Sequence, residues 1–105
     1  MHTLIVNFRL VGISPEAFVE RAESIAPMWA EVPGLVSKTW LRNDETNTYG
    51  GYYVFESREA LDAYKSSDLY LSMGTNPNLA DVTVKDFSVI ESASRITRGL
   101  TAVAV

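Results

Sequence analysis

A tryptophan, a lysine and a tyrosine offer the most useful chemistry in this chain. Trp40 presents a flat indole with one N–H, suited to stacking a planar ligand and donating to an oxygen that gains negative charge. Lys38 lies two residues earlier, so on a β-strand its amine shares the Trp40 side and can stabilise an anionic intermediate. Tyr53 adds a phenol that can donate to a phenolate or carbonyl oxygen, or act as an acid. Tyr52 points to the opposite face of the same strand, and the residues alone do not choose between the two tyrosines. Each residue also has a plainer reading. The aromatics can be core or interface packing, and a lysine on a strand guards a β-surface against aggregation.

Other chemistries are closed off. The chain has no cysteine, which excludes disulfides, thiolate catalysis and iron–sulfur clusters. Its one histidine, His2, can act as a base near neutral pH, but the chain end is a poor place for it. The acidic residues show no ligand-like spacing, so no metal is expected. No serine sits in a nucleophile elbow. Gly50-Gly51 opens a strand and no helix follows it directly, so it is not a phosphate cradle; the glycines more simply let another side chain approach the backbone.

The elements that must position these residues follow from periodicity. Leu4, Val6, Phe8 and Leu10 alternate with Ile5, Asn7 and Arg9, the pattern of a strand over residues 3–11 with one buried face. Arg9 is expected to pair with a carboxylate such as Asp86. Ser14-Pro15-Glu16 starts a helix, and Phe18, Ala22, Ile25 and Trp29 form its apolar stripe. Pro27 lies inside that stripe and predicts a kink or a loosened last turn, with room under Trp29 for a ligand as the sharper reading. Val36, Lys38, Trp40 and Arg42 then share one face of a second strand, and Gly51, Tyr53 and Phe55 one face of a third. The polar turn between them runs from Asn43 to Asn47.

Ser57 caps a second helix with Ala60, Leu61 and Tyr64 inward, and a short separate turn spans Leu69 to Met73. Tyr64, Leu69, Tyr70 and Met73, with Phe8, form the predicted pocket wall. A last strand runs from Val82 to Ile90 with a change of face between Val84 and Phe87, the sign of a bulge or an edge strand. Residues 91–105 read as a C-terminal arm of a single domain spanning residues 1–105. The order β-α-β-β-α-β is the ferredoxin-like α+β arrangement, two helices on one face of a four-stranded antiparallel sheet. The other face is left open with apolar residues on it, which predicts a homodimer through that face.

A net charge of −4 without basic clusters argues against nucleic acid, and no basic amphipathic helix points to a membrane. The apolar N-terminus has no basic region before it and reads as a strand, so a cytoplasmic protein is expected.

In this order, Pro33-Gly34, Lys38-x-Trp40, Gly50-Gly51-x-Tyr53-x-Phe55, Ala63-Tyr64 and Lys85-x-Phe87 resemble the YdhR-like monooxygenase family of the dimeric α+β barrel superfamily, over residues 3–97. The resemblance implies a dimer whose sheets form a barrel, and a pocket between sheet and helices for a hydrophobic aromatic compound. It also implies cofactor-independent oxidation of a phenolic, polycyclic metabolite by dioxygen, with Trp40, Tyr53 and Lys38 as the catalytic candidates. Phe8, Trp29, Tyr52, Phe55, Tyr64, Tyr70 and Met73 would then contact substrate. Two departures stand out. Haem-binding relatives place a histidine on a helix, where this chain has none, and Val36 stands where quinone-forming relatives carry an asparagine. Isomerisation or cyclisation of a similar ligand, or binding without turnover, are the alternatives.

Overall fold

The computed structural model describes residues 1–99. Four strands, β1 (His2–Leu10), β2 (Leu35–Asn43), β3 (Thr48–Phe55) and β4 (Leu79–Ser88), form one antiparallel sheet in the order β2-β3-β1-β4. Helices α1 (Pro15–Ala30) and α2 (Arg58–Lys65) make the two crossovers. Short helices α3 (Asp68–Leu71) and α4 (Glu91–Ile96) follow, with a 3₁₀ turn at Ser72–Thr75 between α3 and β4. This is the ferredoxin-like arrangement. The expected C-terminal arm lies partly at residues 100–105, outside the described residues; its first part is α4.

Serines start three of the helices. Ser14, Ser57 and Ser67 each accept a hydrogen bond from the backbone N–H three residues on, satisfying one donor that the first turn leaves over. Pro27 does not end α1, which continues to Ala30. The core lies where alternation places it: Leu4, Val6, Phe8 and Leu10 of β1 meet Tyr49, Tyr53 and Phe55 of β3 and Leu61 and Tyr64 of α2.

Register decides which hairpin residues join that core. Leu4 pairs with Tyr53 and Tyr53 with Lys38, so Lys38 and Trp40 sit on the helix-covered face. Tyr52, opposite Ile5, sits on the open face. An irregularity between Leu35 and Ser37 sets Leu35, rather than Val36, against Phe55 and the core. The bulge expected between Val84 and Phe87 is elsewhere: β4 begins at Leu79, and its extra residue falls near Asp81, whose φ is +52°. The edge position of β4 is as expected.

Two electrostatic expectations change. Arg9 pairs with Asp81, at 3.9 Å, and not with Asp86. Asp86 instead takes the imidazole of His2, Nε2 to Oδ2 at 2.6 Å, with Lys65 3.9 Å away. The His2 contact, then the Lys65 charge, holds the Asp86 carboxyl below its ordinary range. His2 is buried on the sheet and not loose at a chain end.

Candidate active site

Between α1 and the sheet lies a cavity of about 210 Å³. Its roof is one face of α1, with Phe18, Ala22, Ile25 and Trp29 at helical spacing. Phe8, Lys38, Trp40 and Tyr53 form the floor, and Leu69 and Met73 close one end. Six of the residues singled out in the sequence as catalytic or substrate-contacting therefore meet here: Phe8, Trp29, Lys38, Trp40, Tyr53 and Met73.

The other four lie off the cavity. Phe55 is fully buried and stacks on Tyr53 with ring centroids 6.2 Å apart. Tyr64 supports the site from behind, and Tyr70 packs edge-on against it at 5.4 Å. Tyr52 is on the opposite face of the sheet and 39% exposed.

Lys38 is the unusual group. Its Nζ lies 3.4 Å from the ring centroid of Trp40, 3.9 Å from that of Trp29 and 4.7 Å from that of Tyr53. The two indoles are themselves edge-on, 5.4 Å apart. Among the described residues the amine has neither an ion pair nor a hydrogen bond. The ring faces attract an ammonium, but burial penalises its charge more and brings its pKa down to about 7. Near neutral pH the amine is poised to accept or return a proton.

The donors divide by availability. Trp29 Nε1 donates to the Tyr64 hydroxyl at 3.0 Å, which fixes that indole and uses its only N–H. Trp40 Nε1 makes no hydrogen bond among the described residues, so its donor is left for a ligand. Burial, and then the neighbouring Tyr64 hydroxyl, push the Tyr53 phenol far above its ordinary value. Tyr53 is thus a neutral donor and cannot serve as a base.

Gly51 explains how a lysine fits among three rings. A Cβ there would stand 2.9 Å from Tyr53 Cε1 and 3.0 Å from Lys38 Cε. The bare backbone leaves the space those side chains occupy, the close approach expected of this glycine pair.

Arg21, Asn76 and Asn78 are among the lining residues that were not singled out in the sequence. Arg21 is on the cavity side of α1, three residues after Phe18 and four before Ile25, a position that helical spacing does reveal. Asn76 and Asn78 come from the loop before β4, where no periodicity assigns a direction. Among the described residues no histidine, cysteine or carboxylate lines the cavity. Among the described residues no three such groups gather to hold a metal. With Tyr53 held neutral, these donors do not fit a haem iron or another transition metal.

Residues 3–100 match the model of the family described as "Putative mono-oxygenase ydhR". The chain belongs to that family. No curated protein matches it. Among solved structures, a point mutant of SnoaB, a cofactor-independent oxygenase from Streptomyces nogalater, is 22% identical with a TM-score of 0.68, over 85% of this chain and 92% of that one. An antibiotic biosynthesis monooxygenase, so described with the word "putative", from Nitrosomonas europaea is 19% identical, TM-score 0.66, over 86% and 99%. A point mutant of MhuD, bound to two manganese protoporphyrin IX per active site, is 17% identical, TM-score 0.69, over 86% and 95%. At these identities the likeness is one of fold. No helix among the described residues is long and apolar enough to cross a membrane.

Proposed function

We propose that this protein is a cofactor-independent oxygenase of a hydrophobic phenolic metabolite, working as a homodimer. The observation that carries this reading is the Lys38 amine, unpaired and tuned to about 7, inside an apolar aromatic cavity. Family membership and the oxygenase neighbours support the reaction class.

In the proposed reaction the Lys38 amine takes the phenolic proton and leaves a phenolate with charge on a ring carbon. That carbon gives one electron to dioxygen, and the radical pair closes to a C–O bond, forming a peroxide anion. The Lys38 ammonium returns its proton to that anion. Loss of the ring C–H proton and cleavage of the O–O bond release water and leave a carbonyl. One phenol and one dioxygen thus give one quinone and one water. The Trp40 N–H and the Tyr53 O–H are the donors for the oxygens that gain charge.

Labelled dioxygen tests this reading. With 1-naphthol and anthrone as probes, one labelled oxygen is expected in the product carbonyl. Product formed under strict anaerobiosis would overturn it in favour of isomerisation or cyclisation. The pH profile carries a second prediction. With the amine as base, kcat/KM rises with pH up to about 7 as Lys38 loses its proton, then levels off. A profile flat between about pH 5.5 and 8.5 would remove Lys38 from that role.

The dimer rests on the open sheet face. Ile5, Tyr52, Val54 and Phe87 share it, and Phe87 is 50% exposed. Burying these residues against a second copy would remove them from water. Light scattering is expected to give a dimer mass, and Phe87→Asp with Tyr52→Glu a monomer. A monomeric wild type at micromolar concentration contradicts the proposal.

A further inference from the structure

Among the described residues the cavity lining holds two basic side chains, Arg21 and Lys38, and no acidic one. This is notable in a chain whose net charge is −4. Among the described residues neither forms an ion pair, although acidic side chains outnumber basic ones. The two basic residues also come from opposite walls. Lys38 rises from β2 between the indoles, whereas Arg21 belongs to the roof helix and is exposed.

Arg21 flanks the apolar stripe of α1 in register with Phe18, Ile25 and Met28, all of which line the cavity. Arg21 lines the cavity and is nevertheless exposed, as a side chain is whose stem covers apolar surface while its charged head stays in water. The amides of Asn76 and Asn78 also line the cavity. Asn78 Nδ2 is committed to the Val11 carbonyl and the Asn76 Oδ1 to the Asn78 N–H, leaving the Asn76 NH₂ without a partner among the described residues.

We infer that the ligand is an aromatic acid carrying two anionic ends: a phenolate held at Lys38 and a carboxylate docked on Arg21 at the mouth. This deepens the phenol-oxygenase reading and rests on it. A planar guanidinium recognises a carboxylate through paired N–H donors, which a lysine or a water cannot copy. Arg21 is then the residue that sets specificity. It selects acids from neutral phenols of the same ring size, and it fixes which end of the ring system enters first. The acid end stays at the mouth, so the phenolic end meets Lys38 and Trp40.

Matched probes decide this. Binding of 2-naphthol, 6-hydroxy-2-naphthoic acid and its methyl ester is measured by quenching of tryptophan fluorescence at low salt. The acid is expected to bind about fivefold more tightly than the ester, the range of a partly exposed charge pair. In Arg21→Met the acid is expected to fall to the affinity of the ester, while Arg21→Lys keeps part of the preference. Raising the salt should shrink the wild-type preference. If 2-naphthol and the ester bind but the acid has no advantage, or if Arg21→Met keeps the advantage, the Arg21 assignment is wrong and the phenol reading survives. If none of the three binds, both are overturned.

Discussion

Replacing Lys38 with methionine is expected to cost about a hundredfold or more in oxygen uptake with 1-naphthol, the usual range for a lost general base, and to raise the melting temperature. The two effects together are the signature of a residue kept for function. Lys38 sits in the folded protein with a pKa of about 7 against 10.5 in the unfolded chain. Between those values the unfolded state holds the proton and the folded state does not, so stability rises as pH increases through that window. At or below pH 7 the burial penalty is at its greatest. Methionine has a similar reach, fills the same space among Trp29, Trp40 and Tyr53, and carries no charge to desolvate. Loss of the attraction between the ammonium and the indoles offsets part of the gain. A net stabilisation of about 1 kcal/mol, a few degrees for a domain of this size, is the expected result at pH 7. The gap should narrow towards pH 9.5, where the wild-type folded state has shed its proton. Scanning calorimetry of both proteins at several pH values checks it. A variant less stable than wild type at pH 7 would make Lys38 a packing residue.

That lysine also marks the limit of what the chain reveals as a sequence. Leu4, Val6, Phe8 and Leu10 were legible because a strand with one buried face repeats every two residues, and their burial follows. The serine caps were legible because they are local, as at Ser14 and Ser57. Whether Tyr52 or Tyr53 faces inward is not local. It depends on the pairing of Tyr53 with Leu4, a contact across nearly fifty positions, and a slip of one residue would exchange the two tyrosines. Irregularities hide in the same way. The extra residue at Asp81 breaks the alternation of β4 and concealed its first residues, and the irregularity between Leu35 and Ser37 leaves Val36 without a partner on β3 and sets Leu35 opposite Phe55. The low pKa of Lys38 follows from three rings brought from α1, β2 and β3, and no spacing along the chain records that meeting.

Gly50→Ala and Gly51→Ala are expected to part company sharply, although the two glycines are neighbours. A Cβ on Gly50 would lie 1.8 Å from the carbonyl oxygen of Val6 and 2.8 Å from its carbon, with Asn7 Cα at 3.0 Å. These are backbone atoms of β1, a central strand held by β3 on one side and β4 on the other. They cannot retreat without opening the β1–β3 pairing, so about 3 kcal/mol or more of destabilisation is expected, at the top of the overpacking range. Gly51 faces only the ends of flexible side chains, Tyr53 and Lys38. Gly51→Ala should fold, losing about 1 kcal/mol, and register its effect in the site instead. The new methyl pushes the Lys38 stem from its seat between the indoles towards water, where a lysine regains its ordinary basicity. The midpoint of the pH profile is then expected to move up from about 7, with activity near neutral pH falling accordingly. Urea unfolding followed by circular dichroism separates the pair, and the pH profile of the survivor tests the site. An unchanged urea midpoint for Gly50→Ala would contradict the close β1–β3 approach. An unmoved pH midpoint in a well-folded Gly51→Ala would mean that the amine titrating in the profile is not Lys38.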